Sequence, residues 1–129
     1  MKEIEKRVYN YAKARNWHKL KPGDLAKSIM IEGAELLELF QWDNPTLEEV
    51  KKDKEKVKEI AKELADILIY STELANELNL DIDKIVEEKL KHAEQKYPAK
   101  LIKQTQKASG PGRSAEYWRI KREHRANGK

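Results

Sequence analysis

Glu32-Gly-Ala-Glu35-Leu-Leu-Glu38-Leu-Phe-Gln-Trp42 and Glu63-Leu-Ala-Asp66-Ile-Leu-Ile-Tyr70 are the two stretches on which the reading of this chain turns. In and around each, apolar residues recur every three or four positions, the pattern of an amphipathic helix. At about 100° per residue, Ile29, Glu32, Leu36, Leu39 and Phe40 share one arc that should face a core. Glu32 therefore stands where an apolar residue is expected. Glu35 borders the arc, and Glu38 follows on the same side. In the second stretch Ile60, Leu64, Ile67, Leu74 and Leu78 define the stripe, with Glu63 at its edge and Asp66 just beyond.

An unpaired ionised carboxylate at a core edge is costly, and clustered carboxylates also repel one another. Cations must offset that. The helix that holds Glu32 and Glu35 carries no Lys or Arg after Lys27, and Lys62 lies well round from Glu63. A divalent metal is the better candidate, and oxygen-only ligands without a nearby histidine favour Mg²⁺ or Mn²⁺ over zinc. Glu32 and Glu35 are three apart, as are Glu63 and Asp66, so each pair projects from neighbouring turns of one helix. Two such helices side by side would offer four carboxylates to one or more ions. Mg²⁺ keeps coordination positions for water and phosphate oxygens, which points to a polyphosphate substrate. The bland alternative is that Glu-x-x-Glu recurs by chance on any solvated, Glu-rich helix.

Outward from these helices, proline and glycine mark the breaks. A first helix is expected from about Lys2 to Trp17, with Ile4, Val8, Tyr11 and Ala12 at helical spacing. After the Lys21-Pro22-Gly23-Asp24 turn, Asp24 is the expected cap of a second helix that runs to about Trp42. Asp43-Asn44-Pro45-Thr46 stops it, and Thr46 can cap again. Leu47 to Lys58 reads as an exposed helix or a mobile connection. The most apolar helix should span about Val57 to Leu78, broken by Asn79-Leu80-Asp81, and a fourth, capped by Asp81, should end near Pro98. A linker containing Ser109-Gly110-Pro111-Gly112 is expected next, then a short basic helix within Ser114–Arg125. With no strand-period segment, the fold class is all-α, a four-helix arrangement with paired long helices.

The chain has 129 residues, enough for one domain, and self-association would help so short a chain bury more apolar surface. Charged residues make up 39%, and the absence of cysteine excludes disulfides and thiolate chemistry. No apolar run reaches the length of a membrane span, the first residues are too charged for a signal peptide, and a cytoplasmic location is the expectation. The net charge of +4 is uneven: Ala99 to Lys129 holds nine Lys/Arg against two Glu, whereas residues 1–98 carry 18 against 21 acidic residues. A domain over 1–98 with a basic tail over 99–129 is expected. The tail is read first as solvated, with phosphate binding as its alternative.

The paired motifs resemble those of MazG-like nucleoside triphosphate pyrophosphohydrolases, especially the dCTP pyrophosphatase branch. Arg15-Asn16-Trp17 and Lys96-Tyr97-Pro98 are similar to an Arg-Asp-Trp-like motif and a basic-Tyr-Pro motif there, so the likeness covers about Ile4 to Pro98. It implies a four-helix all-α bundle assembled as a dimer or a dimer of dimers. It also implies Mg²⁺-dependent hydrolysis of nucleoside triphosphates between the α and β phosphates. Carried over, Glu32, Glu35, Glu63 and Asp66 are metal ligands. One of the Glu side chains, with Glu35 the candidate, or a metal-bound hydroxide, sets up the attacking water, and Glu38 could assist. Trp17 and Trp42 contact the base, Tyr70 touches base or sugar, and Lys89 and Lys96 meet phosphates; apolar packing, a core-edge tyrosine and ordinary surface lysines are the alternatives. Leu20-Lys21 replaces a histidine frequent in that branch, and Ala93, next to His92, replaces an asparagine. Both departures touch substrate recognition and spare the metal ligands.

Two rival readings remain. A non-enzymatic helical module could bind nucleic acid through Arg113, Arg119, Lys121, Arg122 and Arg125 with Tyr117 and Trp118, but it leaves the acidic pairs unexplained. A di-iron bundle would want Glu-x-x-His on two helices, and none exists. His18, His92 and His124 are scattered and expected at the surface.

Overall fold

A computed structural model describes the backbone of residues 2–109, 113 and 115–128, and their side chains except at 105–109. Among these residues every regular element is a helix: α1 (Lys2–Ala14), α2 (Pro22–Glu38), α3 (Leu47–Lys52), α4 (Lys54–Glu77), α5 (Ile82–Lys96), α6 (Ala99–Ser109) and α7 (Ala115–Ala126). The all-α expectation is met. Seven helices take the place of four plus a tail, because the expected linker after Pro98 is α6. Gly110, Pro111 and Gly112 of that linker, and Ser114, lie outside the described residues. No described helix is long and apolar enough to cross a membrane. The chain forms two compact units, Met1–Ile82 and Asp83–Lys129.

In the first unit, α4 is the central element, and α1, α2 and α3 all pack on it. Its ends are set chemically. Asp53 closes α3 and, through Oδ1, accepts the Lys56 backbone N–H at 3.1 Å as the N-cap of α4. Thr46 and Glu49 form a reciprocal capping box at the start of α3, so the segment expected to be exposed or mobile begins with a capped helix. The Lys56 ammonium donates to the Leu39 carbonyl at the end of α2 and lies 5.3 Å from the Phe40 ring. These contacts fix the register of α2 on α4.

Helix ends account for the main departures from expectation. α2 begins at Pro22, whose fixed φ suits a first helical position, with Lys21 as N-cap; Asp24 lies inside the helix and does not cap it. α2 also ends at Glu38, four residues before Trp42. α1 stops at Ala14 and α4 at Glu77, each followed by an asparagine in the left-handed region: Asn16 at φ 56° and Asn79 at φ 54°. Trp17 N–H donates to the Ala12 carbonyl at 2.8 Å, and Leu80 N–H to the Ala75 carbonyl at 2.9 Å, the closing bond of a Schellman turn in both cases.

The buried apolar residues of this unit are Val8, Ala12, Leu25 and Ala75, with Thr72 and Glu73 beside them. Leu64 and Leu78, expected in the α4 stripe, are about half exposed, while Ile60, Ile67 and Leu74 are half-buried. The buried residues of α4 are Thr72, Glu73 and Ala75 instead, and Asn76 Nδ2 donates to the Glu5 carbonyl of α1 at 3.0 Å. In the second unit α7 buries Ile120, Tyr97 stacks on Tyr117 with ring centres 4.8 Å apart, and His92 meets His124 edge-on. All three histidines are half-buried, contrary to a surface placement.

Because only a residue without a β-carbon clash takes αL freely, Asn79→Ala should destabilise the first unit by about 1 kcal/mol, whereas Asn79→Gly should be neutral or stabilising. Chemical denaturation of the two variants checks this. Equal midpoints for Ala and Gly would contradict the turn assignment.

A candidate metal centre between two helices

Packing of α2 against α4 brings the two acidic pairs together. One carboxylate oxygen each from Glu32, Glu63 and Asp66 lie within 4.8 Å of one another, and all three residues are half-buried. Glu35 stands beside them with its carboxyl within hydrogen-bond reach of both Glu32 and Glu63. The i, i+3 spacing aims both members of each pair from one helix face, and the register fixed at Lys56 and Asp53 places the faces opposite each other.

The electrostatics are those of an unneutralised anion site. Burial, then the neighbouring Glu35 carboxyl, pushes Glu32 up to about 7. Glu63 is also raised, first by burial and then by Glu35, with the neighbouring Glu32 carboxyl and then Lys62 opposing. Oε2 of Glu32 and Oε2 of Glu63 are closed off from solvent, and no hydrogen bond reaches either one. Among the described residues no lysine or arginine forms an ion pair with any of the four carboxylates. Buried acceptor oxygens without donors are uncommon in folded chains. Their chemistry, hard oxygen donors converging on one point, fits a divalent cation.

The other candidates divide. Tyr70, one turn beyond Asp66, is half-buried, and its phenol is held above its usual range by burial, then by Glu32, Glu73 and Asp66. It therefore sits at the edge of the acidic cluster. Trp17 contacts Tyr11 edge-on at 6.0 Å, and Tyr11 in turn influences Tyr70. Glu38 ends α2 with its side chain exposed. Trp42 stands off α2 and is 90% exposed. Lys89 is an exposed residue of α5, and Lys96 closes α5 with its ammonium 5.3 Å from the Tyr97 ring.

Sequence reasoning missed two neighbours of this region. Tyr11 lines an apolar cavity of about 300 Å³ with Ile4, Arg7, Val8 and Ile69. Glu73, only 6% exposed and raised by burial and Glu77, follows Tyr70 by three residues on the same helix. The spacing 63, 66, 70, 73 along one face was the available signal for Glu73.

The raised Glu32 and Glu63 tie folding to pH. In the folded chain these groups keep their protons to a higher pH than in the unfolded chain. Their contribution is therefore whole below about pH 4.5 and drains away as pH climbs towards 7. A dication binds the ionised form and reverses the loss. Thermal melts in chelator should show a lower midpoint at pH 7.5 than at pH 5, with recovery at pH 7.5 on adding millimolar Mg²⁺; a midpoint indifferent to both would contradict the electrostatics described.

Known proteins place this geometry in a lineage. Residues 27–110 match the MazG-like family, a span that holds both acidic pairs. Over 104 residues the chain is 31% identical to dCTP pyrophosphatase 1 of Rattus norvegicus, and equally to that of Mus musculus, covering 78% of this chain and 61% of each relative. The chain thus spans somewhat under two thirds of the length of those curated relatives. A crystal structure of a pyrophosphatase from Archaeoglobus fulgidus superposes with a TM-score of 0.67 at 36% identity, covering 76% of this chain and 92% of that one. With its helices, its acidic pairs and these likenesses in agreement, the chain belongs to the MazG-like family.

Proposed function

We propose that this protein is a nucleoside triphosphate pyrophosphohydrolase: it cleaves (deoxy)nucleoside triphosphates between the α and β phosphates, giving monophosphate and pyrophosphate, with dCTP as preferred substrate. The observation that carries the reading is the convergence of Glu32, Glu63 and Asp66, with Glu35 beside them, where among the described residues no lysine or arginine forms an ion pair with any of the four. The family's relatives named as pyrophosphatases support the reaction class.

Glu32, Glu35, Glu63 and Asp66 are the proposed ligands of Mg²⁺, with Mn²⁺ able to stand in. When bound, the ion supplies charge neutralisation for the triphosphate and acidifies a water. Glu35 is the carboxylate of the group that reaches solvent, and it is the proposed acceptor of the attacking water's proton, assisted by Glu38 one turn further on. Tyr70 borders the cluster, where it would meet the sugar. The Tyr11–Trp17 pair and the apolar cavity that shares Tyr11 would take the base, with Trp42 closing on it from its exposed position. Lys89 and Lys96 are the proposed phosphate contacts. A cytoplasmic location belongs to the same reading.

Self-association is part of the proposal. Met30, Ile31 and Leu37 on α2 and Leu64 and Leu68 on α4 are between 46% and 70% exposed, more apolar surface on paired helices than a lone chain usually leaves in water. A second copy, in a homodimer or homotetramer, would cover it. A Leu37→Glu, Leu68→Glu double variant should elute as a smaller species by light scattering; an unchanged mass would exclude this face.

Pyrophosphate release from a panel of triphosphates tests the activity. Glu35→Gln and Asp66→Asn should fold yet lose roughly a hundredfold or more in turnover, since even residues that merely support metal ligands cost 10–100-fold when changed. Full turnover in either variant would remove the assignment. dCTP should rank first in kcat/KM; a flat ranking would leave the reaction and remove the base preference.

A further inference from the structure

The second unit carries a different chemistry, beyond the proposed hydrolysis. Residues 83–129 hold 13 Lys/Arg against six Asp/Glu. The inner side of α7 is committed to packing: Ile120 is buried, Tyr117 stacks on Tyr97, and His124 meets His92. Arg119 is also committed, held by Glu116 and Glu123. Trp118 points elsewhere. It stands edge-on to Tyr117 at 5.1 Å, remains 43% exposed, and carries the Lys121 ammonium 5.5 Å from its ring. Beside the rings, Lys100 and Lys103 of α6 line an open groove of about 650 Å³ with Tyr97, Ala99 and Ile102. Tyr97 is thus both a wall of the groove and the first ring of the stack. Among the described residues, Lys100, Lys103, Lys121 and Arg122 have no carboxylate partner.

Cations alone would attract any polyanion. The exposed indole, set among cations and continuous with a basic groove, selects further. A nucleobase offers it a π face, whereas a lipid headgroup, a polyphosphate or an acidic peptide does not stack. Duplexes keep their bases stacked inside, so an unpaired strand is the form that can use the ring. We infer that this surface binds a short run of single-stranded nucleic acid, phosphates along Lys100, Lys103 and Lys121 and one base stacked on Trp118. The basic C-terminal region, read from sequence first as a solvated extension, gains a ligand through this geometry.

Fluorescence anisotropy of the full chain with a labelled thymidine dodecamer tests it, against an abasic dodecamer of the same charge. Wild type should prefer the thymidine strand roughly tenfold, and Trp118→Ala should abolish that preference. Lys100→Gln with Lys103→Gln, at exposed positions that cannot disturb packing, should lower the slope of log affinity against log salt by about 1.4 while pyrophosphate release stays unchanged. Because the wild-type comparison needs no variant, a misfolded Trp118→Ala protein would not leave the matter open. Equal affinity for the two strands, absence of binding at about 50 mM salt, or binding to phosphatidylserine vesicles but to neither strand would each overturn the inference.

Discussion

Everything in the first unit is organised around a repulsion. Packing α2 on α4 buries apolar surface, yet the same packing drives one carboxylate oxygen each of Glu32, Glu63 and Asp66 to within 4.8 Å of one another, and among the described residues no lysine or arginine forms an ion pair with them. A helix pair selected only for stability would not carry acids there, since burial and like charge both act against the ionised forms. The chain tolerates the arrangement because its other contacts over-determine the register: Asp53 capping α4, Thr46 and Glu49 locking α3, and Lys56 reaching the end of α2. Local rules are broken at one place and obeyed around it, the distribution expected where structure is spent on binding. The Lys56 contact shows how this works. A cation could relieve the acidic cluster, but Lys56 in the first turn of α4 reaches the end of α2 instead, which is consistent with the proposed external ion.

α4 also connects the acid cluster to the apolar side of the unit. Asp66, Tyr70 and Glu73 follow one another along one face over two turns, about 10.5 Å of helix axis. After burial, Glu32, Glu73, Asp66 and Tyr11 all raise the Tyr70 phenol, so it lies within reach both of the acidic cluster and of the aromatic residue that lines the apolar cavity. A molecule with a polyphosphate at one end and a flat ring at the other has the same polarity. The Schellman turn at Asn16 completes this half by turning the chain so that Trp17 meets Tyr11.

The acidic pairs were legible because they depend on spacing within a helix, which sequence records directly. Glu32 is visible as an intruder in an apolar arc before any partner helix is known. The α4 stripe was read less well, and the reason is physical: a helical wheel gives relative angles but not which of two broad apolar arcs meets a neighbour. On α4 the buried residues are Thr72, Glu73 and Ala75, two of them polar, so an apolar criterion passed over them and selected the half-exposed Leu64 and Leu78. Helix ends went astray for a related reason. Asp24 is a good cap in isolation, but Pro22 at the first helical position already fixes where α2 begins. α6 escaped notice because the glycines and proline beyond Ser109 dominated the reading of the whole stretch after Pro98.

Charge is divided between the two units: residues 1–82 hold 14 Lys/Arg and 17 Asp/Glu, whereas 83–129 are strongly basic. The division has a consequence for any phosphate-bearing ligand. On the proposed function, such a ligand would be repelled at the acidic cluster until a dication binds, so recognition there would be conditional on metal and tolerant of monovalent salt, because close, partly buried charges are screened little. At the Tyr97–Tyr117–Trp118 surface attraction needs no metal, comes from exposed lysines and arginines, and fades as salt rises. One chain thus presents two opposite electrostatic solutions to the same anionic chemistry. On the two proposals, dependence on metal and on ionic strength distinguishes the sites even where the ligand carries both bases and phosphates, because chelation should silence the first and leave the second untouched.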